Sequence, residues 1–125
     1  MAIIVSVEDN PVNQLLVVQR MKMLGHDVIE AETGEAALSI IQNTPDIALI
    51  LLDIGLPKMD GIELAQQLKN NKSTQQIPII FLTAHATVDY KDKAAQLGIL
   101  DFYTKPLDFK ALSIRIIEIL TKSEA

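Results

Sequence analysis

Three carboxylates in this sequence stand directly behind apolar runs of the kind that form buried strands. Glu8 and Asp9 follow the run Ile3–Val7, and Asp53 follows the run Ile47–Leu52. Clustered carboxylates repel one another by about 1 to 4 kcal/mol per close pair, depending on the effective dielectric. Such a cluster therefore either keeps one carboxyl protonated or holds a cation. An all-oxygen set with few ligands suits Mg²⁺, which often bridges to a phosphate.

A hydroxyl and an ammonium group stand at equivalent places further along the chain. Thr83 follows the apolar run at residues 79–82, and Lys105 follows a short candidate strand at Phe102 and Tyr103. A carboxylate beside a metal ion is a usable nucleophile toward phosphorus and forms an aspartyl phosphate. Phosphoryl transfer needs positioning and charge neutralisation from the protein, which a metal ion, a lysine and a hydroxyl donor supply. Each residue alone would be an ordinary turn, cap or surface group, but their coincidence at strand ends predicts a site.

The apolar runs alternate with stretches that carry helix start signals. The runs at residues 47–52 and 79–82 are apolar throughout and the run at residues 3–7 is apolar except for Ser6, as in strands buried on both faces of a parallel sheet. A shorter candidate strand is Val28 and Ile29. The start signals are Asn10 before Pro11, Thr33 or Gly34, Asp60 with Glu63 three residues later, Thr87 and Asp108. Five strand–helix alternations predict an α/β fold, a doubly wound five-stranded parallel sheet with helices on both faces.

In such sheets, ligands bind beyond the carboxyl ends of the strands. We therefore expect the strand-end carboxylates, hydroxyl and ammonium to converge on one rim of the sheet. Residues 70–76, between the third helix and the fourth strand, are interpreted as a polar surface loop.

Composition limits the classes of protein that fit. The 125 residues are 49% hydrophobic and 22% charged, which predicts one folded domain. The net charge of −5 and the lack of a basic run argue against direct nucleic-acid binding. The absence of cysteine excludes disulfides, thiol catalysis and cysteine-ligated zinc. No apolar stretch is long enough for a signal peptide or a membrane span, so we expect a cytoplasmic protein without membrane insertion.

Four short motifs, in their order and spacing, resemble the receiver domain of two-component response regulators. They are VEDN at residues 7–10, LLDIGLPKMDG at residues 51–61, FLTA at residues 81–84 and TKP at residues 104–106. The resemblance covers essentially the whole chain and implies one receiver domain, residues 1–125, with a flavodoxin-like fold and strand order 2-1-3-4-5. The VEDN-x-x-N pattern at residues 7–13 is more similar to receivers of hybrid histidine kinases or phosphorelays than to those that feed DNA-binding domains.

The resemblance implies a role for each acidic residue of the cluster. Asp53 is expected to be the phosphoacceptor. Asp9 and Asp53 are expected to ligate Mg²⁺ (or Mn²⁺) directly, together with the backbone carbonyl of Gly55. Glu8 is expected to act on the metal largely through water.

The resemblance also implies a switch. Thr83 is expected to donate a hydrogen bond to a phosphoryl oxygen, and Lys105 to pair with the phosphate. The Lys105–Pro106 peptide bond is expected to be cis, as is usual in the family. Phe102 occupies the position of an aromatic residue that moves inward when the threonine moves, which changes the face formed by the fourth helix, fifth strand and fifth helix. Gly55 and His85 occupy two positions that tune the lifetime of the aspartyl phosphate.

The expected partners are a histidine kinase or histidine phosphotransfer protein and an unknown effector, and the resemblance allows a phosphorylation-dependent dimer. Our candidates for docking on the first helix are Val12, Asn13, Leu15 and Leu16. Counting at 100° per residue places Leu16, Val17, Met21 and Leu24 on the inward face of this helix and Val12, Leu15, Val18 and Met23 outside it. The same count on the last helix places Leu112, Ile116, Ile119 and Leu120 inward and Ile114 outward.

Three alternatives to a phosphorylation switch fit the sequence less well. A phosphatase of the haloacid dehalogenase type would carry a second aspartate two residues after the nucleophile, where this chain has Gly55. A nucleotide-binding domain is disfavoured because neither G-x-x-x-x-G-K nor G-x-G-x-x-G is present. The complete set of strand-end residues argues against a degenerate receiver that works without phosphorylation. Whether the domain is free-standing or part of a larger protein is left open by the sequence.

Overall fold

The chain forms a twisted parallel sheet flanked by helices on both faces. The computed structural model describes residues 2–84, 87–99 and 101–124. The strands are β1 (Ile3–Val7), β2 (Asp27–Ala31), β3 (Ile47–Leu52), β4 (Ile79–Thr83) and β5 (Phe102–Thr104). All described pairings are parallel, and the order across the sheet is β2-β1-β3-β4-β5. The predicted fold class and strand order are confirmed.

The helices alternate with the strands as the start signals predict. They are α1 (Pro11–Met23), α2 (Gly34–Asn43), α3 (Gly61–Lys69), α4 (Val88–Gln96) and α5 (Phe109–Glu124). Side-chain oxygens of Asn10, Thr33, Asp60, Thr87 and Asp108 accept hydrogen bonds from backbone N–H groups of the first turns, at 2.9 to 3.3 Å. These caps stabilise the helix starts. Each loop that follows a strand is therefore fixed by the strand at one end and by a capped helix at the other.

Two apolar layers pack on the two faces of the sheet. In β3, Ile50 and Leu52 contact the layer formed with α2, α3 and α4, whereas Leu49 and Leu51 contact the layer formed with α1 and α5. This alternation follows from the two-residue period of a strand. Because β3 is buried on both faces, Asp53, the residue that follows it, lies where the centre of the core meets the edge of the sheet.

The inward face of α1 differs from the prediction. Val18 is buried although it was placed outside, and Leu16 and Leu24 are 48% and 39% exposed although they were placed inside. The buried residues are Gln14, Val17, Val18 and Met21, which have the i, i+3, i+4, i+7 spacing of one helix face. The count at 100° per residue considered apolar residues only, so it left out the polar Gln14. Without Gln14, the predicted inward face was rotated away from the observed one.

The inward face of α5 is confirmed. Leu112, Ile116, Ile119 and Leu120 are buried, and Ile114 is 52% exposed. Residues 70–76 are only partly a surface loop. Thr74 is buried at 3% exposure, and its hydroxyl donates to the carbonyl of Leu68 at 2.6 Å. This bond satisfies a carbonyl at the end of α3, which lacks a partner within the helix.

Candidate functional site

Two buried carboxylates and one lysine meet at the carboxyl end of the sheet. Glu8 and Asp53 are 5% and 8% exposed, whereas Asp9 is exposed. The Lys105 ammonium donates to Glu8 Oε1 and lies 3.3 Å from Asp53 Oδ2. A positive charge between two buried carboxylates offsets their repulsion and the cost of burying them. The sequence-predicted residues of β1, β3 and the β5 end are therefore in direct contact.

The environment of Glu8 makes it a weaker acid than usual. Burial is the main cause that raises the pKa of Glu8 from 4.5 to about 7, and nearby Asp53 acts in the same direction. The hydrogen bond from Lys105 opposes the shift. Glu8 is therefore more readily protonated than an exposed glutamate.

The cluster offers the ligand atoms that a hard cation prefers. Glu8, Asp9 and Asp53 each present one carboxylate oxygen, and these oxygens all lie within 4.8 Å of one another. Oxygen-only donors suit Mg²⁺ or Ca²⁺. The donor set therefore fits the predicted metal. Gly55 lies beside Asp53, and its N–H donates to Asp53 Oδ1 at 3.1 Å. The carbonyl of Gly55 as a metal ligand stays a prediction.

The first residue of α3 packs closely against the backbone of Asp53 and Ile54 and helps to hold Asp53 in place. The backbone N–H of Asp53 donates to the carbonyl of Val7 at 3.1 Å, and the N–H of Gly61 donates to the carbonyl of Ile54 at 3.0 Å. A Cβ at residue 61 would lie 2.3 Å from the carbonyl oxygen of Asp53. Only glycine allows α3 to begin so near the acceptor without a backbone shift.

Thr83 and Lys105 are joined through their main chains. Thr83 is fully buried at the end of β4. The N–H of Lys105 donates to the carbonyl of Thr83 at 2.9 Å. The Lys105–Pro106 bond is cis, as the resemblance implied. The hydroxyl-bearing strand and the lysine loop are therefore adjacent on the rim that carries the carboxylates.

Phe102 lies between the core and a lysine on α4. Its ring is half-buried, and its centroid is 5.9 Å from that of Phe81 with an interplanar angle of 54°. The ammonium of Lys91 lies 5.9 Å from the Phe102 ring centroid. Phe102 thus contacts both β4 and α4, and its role as a switch residue stays a prediction. His85, which the resemblance implies to tune the lifetime of the aspartyl phosphate, lies outside the described residues.

Two of the docking candidates, Asn13 and Leu16, line a small apolar cleft. Val12, Leu15 and Leu16 are 65%, 55% and 48% exposed, and Asn13 is half-buried. A cavity of about 170 Å³ is lined by Asn13, Leu16, Val17, Lys105, Pro106, Leu107 and Phe109. The start of α1 and the loop after β5 therefore form one continuous surface beside the cluster.

One residue near the site, Gln14, was not among the residues predicted from the sequence. Gln14 is 5% exposed, and its side chain contacts Ser6 and the carbonyl of Ala31. Its spacing from Val17, Val18 and Met21 was the available signal, because it completes their helix face.

The fold and the acidic rim together define a flavodoxin-like α/β domain with a candidate metal and phosphoryl site. Residues 4–117 match the family described as the response regulator receiver domain, and the chain belongs to that family. No helix within the described ranges is both long and apolar enough to cross a membrane.

Relatives of known name include both transcription regulators and kinases. The chain is 38% identical over 117 residues to the phosphate regulon transcriptional regulatory protein PhoB of Pseudomonas aeruginosa, covering 93% of this chain and 50% of that protein. It is 34% identical over 113 residues to the sensor histidine kinase GacS of Pseudomonas protegens, covering 88% of this chain and 12% of the kinase. The chain thus spans half or less of these proteins, and relatives of both kinds leave the hybrid-kinase resemblance a prediction.

Solved structures with the same fold include two receiver domains at comparable identity. One is a CheY-like receiver domain protein from Methanospirillum hungatei, with a TM-score of 0.91, 26% identity and coverage of 99% of this chain and 97% of that one. The other is the receiver domain of the sensor histidine kinase PA1611 from Pseudomonas aeruginosa, with a TM-score of 0.86, 28% identity and coverage of 96% and 98%. The latter structure is described with a magnesium ion coordinated in its active-site cleft.

Proposed function

We propose that this chain is one receiver domain, residues 1–125, that acts as a phosphorylation-dependent switch in a two-component phosphorelay. The observation that carries the proposal is the buried contact of Lys105 with both Glu8 and Asp53. The Asp53 carboxylate attacks the phosphorus of a phosphohistidine donor and forms a new O–P bond. The N–P bond breaks, and its electron pair stays on the imidazole nitrogen of the donor. The domain thus promotes its own phosphorylation and slow dephosphorylation, although it is a signalling domain.

The carboxylates of Glu8, Asp9 and Asp53 would hold Mg²⁺ or Mn²⁺, with the Gly55 carbonyl as a further ligand. The oxygen-only donor set supports this assignment, as does the magnesium ion in the PA1611 receiver. When bound, the ion supplies charge neutralisation for the phosphoryl oxygens. Glu8 and Asp9 orient the site, and Lys105 and Thr83 add donors on the side of β4 and β5.

Phosphorylation shifts a conformational equilibrium through contacts that differ between its two states. Lys105, which contacts Glu8 and Asp53 in this structure, pairs with the new phosphoryl group. Thr83 donates to a phosphoryl oxygen, and Phe102 moves further inward. The face formed by α4, β5 and α5 changes as a result and controls binding of an effector or formation of a dimer.

The donor is a histidine kinase or a histidine phosphotransfer protein in the cytoplasm. Its docking surface comprises Val12, Asn13, Leu15 and Leu16, and two of them, Asn13 and Leu16, line the cleft that reaches Lys105. Exposed apolar side chains grouped in this way are typical of protein-binding surfaces. This placement allows a partner on α1 to present a phosphohistidine to Asp53 without moving the core.

The test is the intact mass of the protein after incubation with acetyl phosphate, with and without Mg²⁺. We expect one phosphoryl adduct that requires Mg²⁺ and is absent in Asp53→Asn. The matched control is Asp27→Asn, which changes an exposed aspartate at the opposite end of the sheet and should leave the adduct intact.

A phosphohistidine donor provides the second arm of the test. An adduct on wild type and on Asp27→Asn, but not on Asp53→Asn, supports the proposal. If neither acetyl phosphate nor a phosphorylated histidine protein modifies the wild type, the switch is wrong and a receiver that works without phosphorylation replaces it.

A further inference from the structure

The side chain of Gln14 joins helix α1 to the strand ends behind the acidic pair. Gln14 is buried, and Ser6 Oγ donates to its Oε1 at 2.5 Å. Its Nε2 donates to the carbonyl of Ser6 at 3.0 Å and to that of Ala31 at 3.2 Å. All the polar atoms of this amide group therefore have partners. The two carbonyls can only accept hydrogen bonds, so the amide is fixed in one orientation.

These contacts close a loop around Glu8 and Asp9. The Ser6–Gln14 contact joins residues eight positions apart, and both acids lie between them. Inside the loop, the N–H of Asn10 donates to Glu8 Oε2 at 3.3 Å, and the N–H of Gln14 donates to the carbonyl of Asn10 at 2.9 Å. The acidic pair is thus held on a short segment whose two ends are joined by a buried side chain.

The carbonyl of Ala31 is shared between Gln14 and the acidic pair. It accepts from the N–H of Glu8 at 3.0 Å as well as from Gln14 Nε2. Any change in the position of this carbonyl therefore acts on the backbone of Glu8 directly. The side chain of Gln14 makes its hydrogen bonds to Ser6 and Ala31, so its effect on the side chains of Glu8 and Asp9 passes through the backbone.

We infer that Gln14 is a positioning residue for the metal site, one that holds Glu8 and Asp9 where their oxygens converge with Asp53. This inference rests on the proposed function, because it concerns the metal used in phosphorylation. Groups that orient metal ligands without touching the metal typically change affinity by about 10- to 100-fold when they are removed. Gln14 would be expected to act in that range, through ligand placement and without any part in the reaction itself.

The experiment measures the Mg²⁺ affinity of unphosphorylated Gln14→Met by calorimetric titration and, in parallel, its rate of Asp53 phosphorylation by acetyl phosphate as a function of Mg²⁺ concentration. Methionine keeps the length of the side chain and removes its hydrogen bonds. We expect the Mg²⁺ concentration for half-maximal rate to rise about tenfold or more, while the rate at saturating Mg²⁺ stays near that of wild type. A purely structural role would lower the amount of folded protein without moving the half-saturation point.

Thr74→Val is the matched control. It also removes a buried side-chain hydrogen bond, that of Thr74 to the carbonyl of Leu68, but at the opposite end of the sheet. We expect it to lower the melting temperature and to leave the half-saturation point unchanged. Ser6→Ala serves as a second variant if Gln14→Met does not fold, and it should raise the Mg²⁺ requirement in the same direction by a smaller factor.

The outcomes separate the two levels of inference. If wild type shows no Mg²⁺-dependent adduct, the proposed function fails. If wild type is phosphorylated and folded Gln14→Met or Ser6→Ala keeps the wild-type half-saturation point, the proposed function stands and the role of Gln14 is wrong.

Discussion

Helices α3 and α4 have the same length and lie on the same face of the sheet, but they are held very differently. Each comprises nine residues and contributes to the same apolar layer. In α3, five residues are buried (Gly61, Ile62, Leu64, Ala65 and Leu68), whereas in α4 only Ala94 is. Burying a large aliphatic side chain contributes about 1.5 to 3 kcal/mol. The three in α3 therefore contribute about 5 to 9 kcal/mol, as an upper estimate, and α4 has no counterpart.

The difference follows the division of the site. α3 begins against the carbonyl of Asp53, through Gly61, and it anchors the acceptor. α4 follows the strand that ends at Thr83 and also contacts Phe102 through Lys91. The acceptor Asp53, whose position must stay fixed, thus lies against the firmly packed helix α3. The half that we propose to respond adjoins α4, the helix with the fewest buried residues, which costs least to move.

The largest expected effect is on the firmly packed helix. Leu64→Ala removes a fully buried side chain and should lower the free energy of unfolding by about 2 to 5 kcal/mol, through lost burial and the cavity left behind. Chemical denaturation measures it. The comparison partner on α4, Ala94→Gly, should cost about 1 kcal/mol from helix propensity, plus a small term for the buried methyl group. Equal losses for the two variants would contradict the comparison.

Gly61→Ala tests the close approach between α3 and the acceptor. Its Cβ would lie 2.3 Å from the carbonyl oxygen of Asp53 and 2.7 Å from the Cα of Ile54, so the backbone must move. We expect destabilisation of about 1 to 3 kcal/mol and slower phosphorylation at Asp53, measured by denaturation and by intact mass. A variant with wild-type stability and rate would show that the contact relaxes without cost.

The firm half of the site also has an expected pH dependence. A proton on Glu8 competes with the metal, because metal ligands must be deprotonated. With a Glu8 pKa of about 7, the affinity for Mg²⁺ should fall as the pH drops below 7, approaching about tenfold (1.4 kcal/mol) per pH unit. Calorimetric titration between pH 5.5 and 8 measures this fall, and Glu8→Gln should flatten it. Ala94→Gly on α4 should leave the profile unchanged, and a shifted profile in that variant would mean that α4 supports the acids too.

The smallest effect concerns the tie between α4 and β5. Lys91→Gln removes the cation above the Phe102 ring, a contact worth about 0.5 to 1 kcal/mol at an exposed position. The expected result is faster amide hydrogen exchange in α4 with unchanged exchange in α3. Exchange that rises equally in both helices would indicate that they open as one unit.

Local signals in the sequence predicted most of the fold. Apolar runs and caps depend on neighbouring residues only, so Asn10, Asp60 and Asp108 fixed the helix starts correctly. Strand β2 extends beyond Val28 and Ile29, because Asp27 and Glu30 on this edge strand interrupt the apolar pattern without preventing pairing. The prediction for the buried face of α1 was wrong for a tertiary reason: only the folded chain shows that the amide of Gln14 donates to the carbonyls of Ser6 and Ala31.

In the candidate site, too, some features were predictable from the sequence and others depend on the folded structure. Convergence of Glu8, Asp53 and Lys105 was predictable, because residues at the carboxyl ends of parallel strands share one rim. The pairing of Lys105 with both acids, and the pKa shift that burial causes at Glu8, depend on distances that spacing in the sequence does not give. The close fit of Gly61 on Asp53 was hidden for the same reason.

The order of the strands has an evolutionary consequence. Asp53 extends from the central strand β3, and the edge strand β5 is only two strands away, a lateral distance of about 10 Å. Once Asp53 is phosphorylated, as proposed above, the resulting change would have to cross only β4 to reach the margin of the domain. Surface residues on that margin can differ without altering Asp53 or its neighbours. The same acceptor site can therefore act on different binding partners.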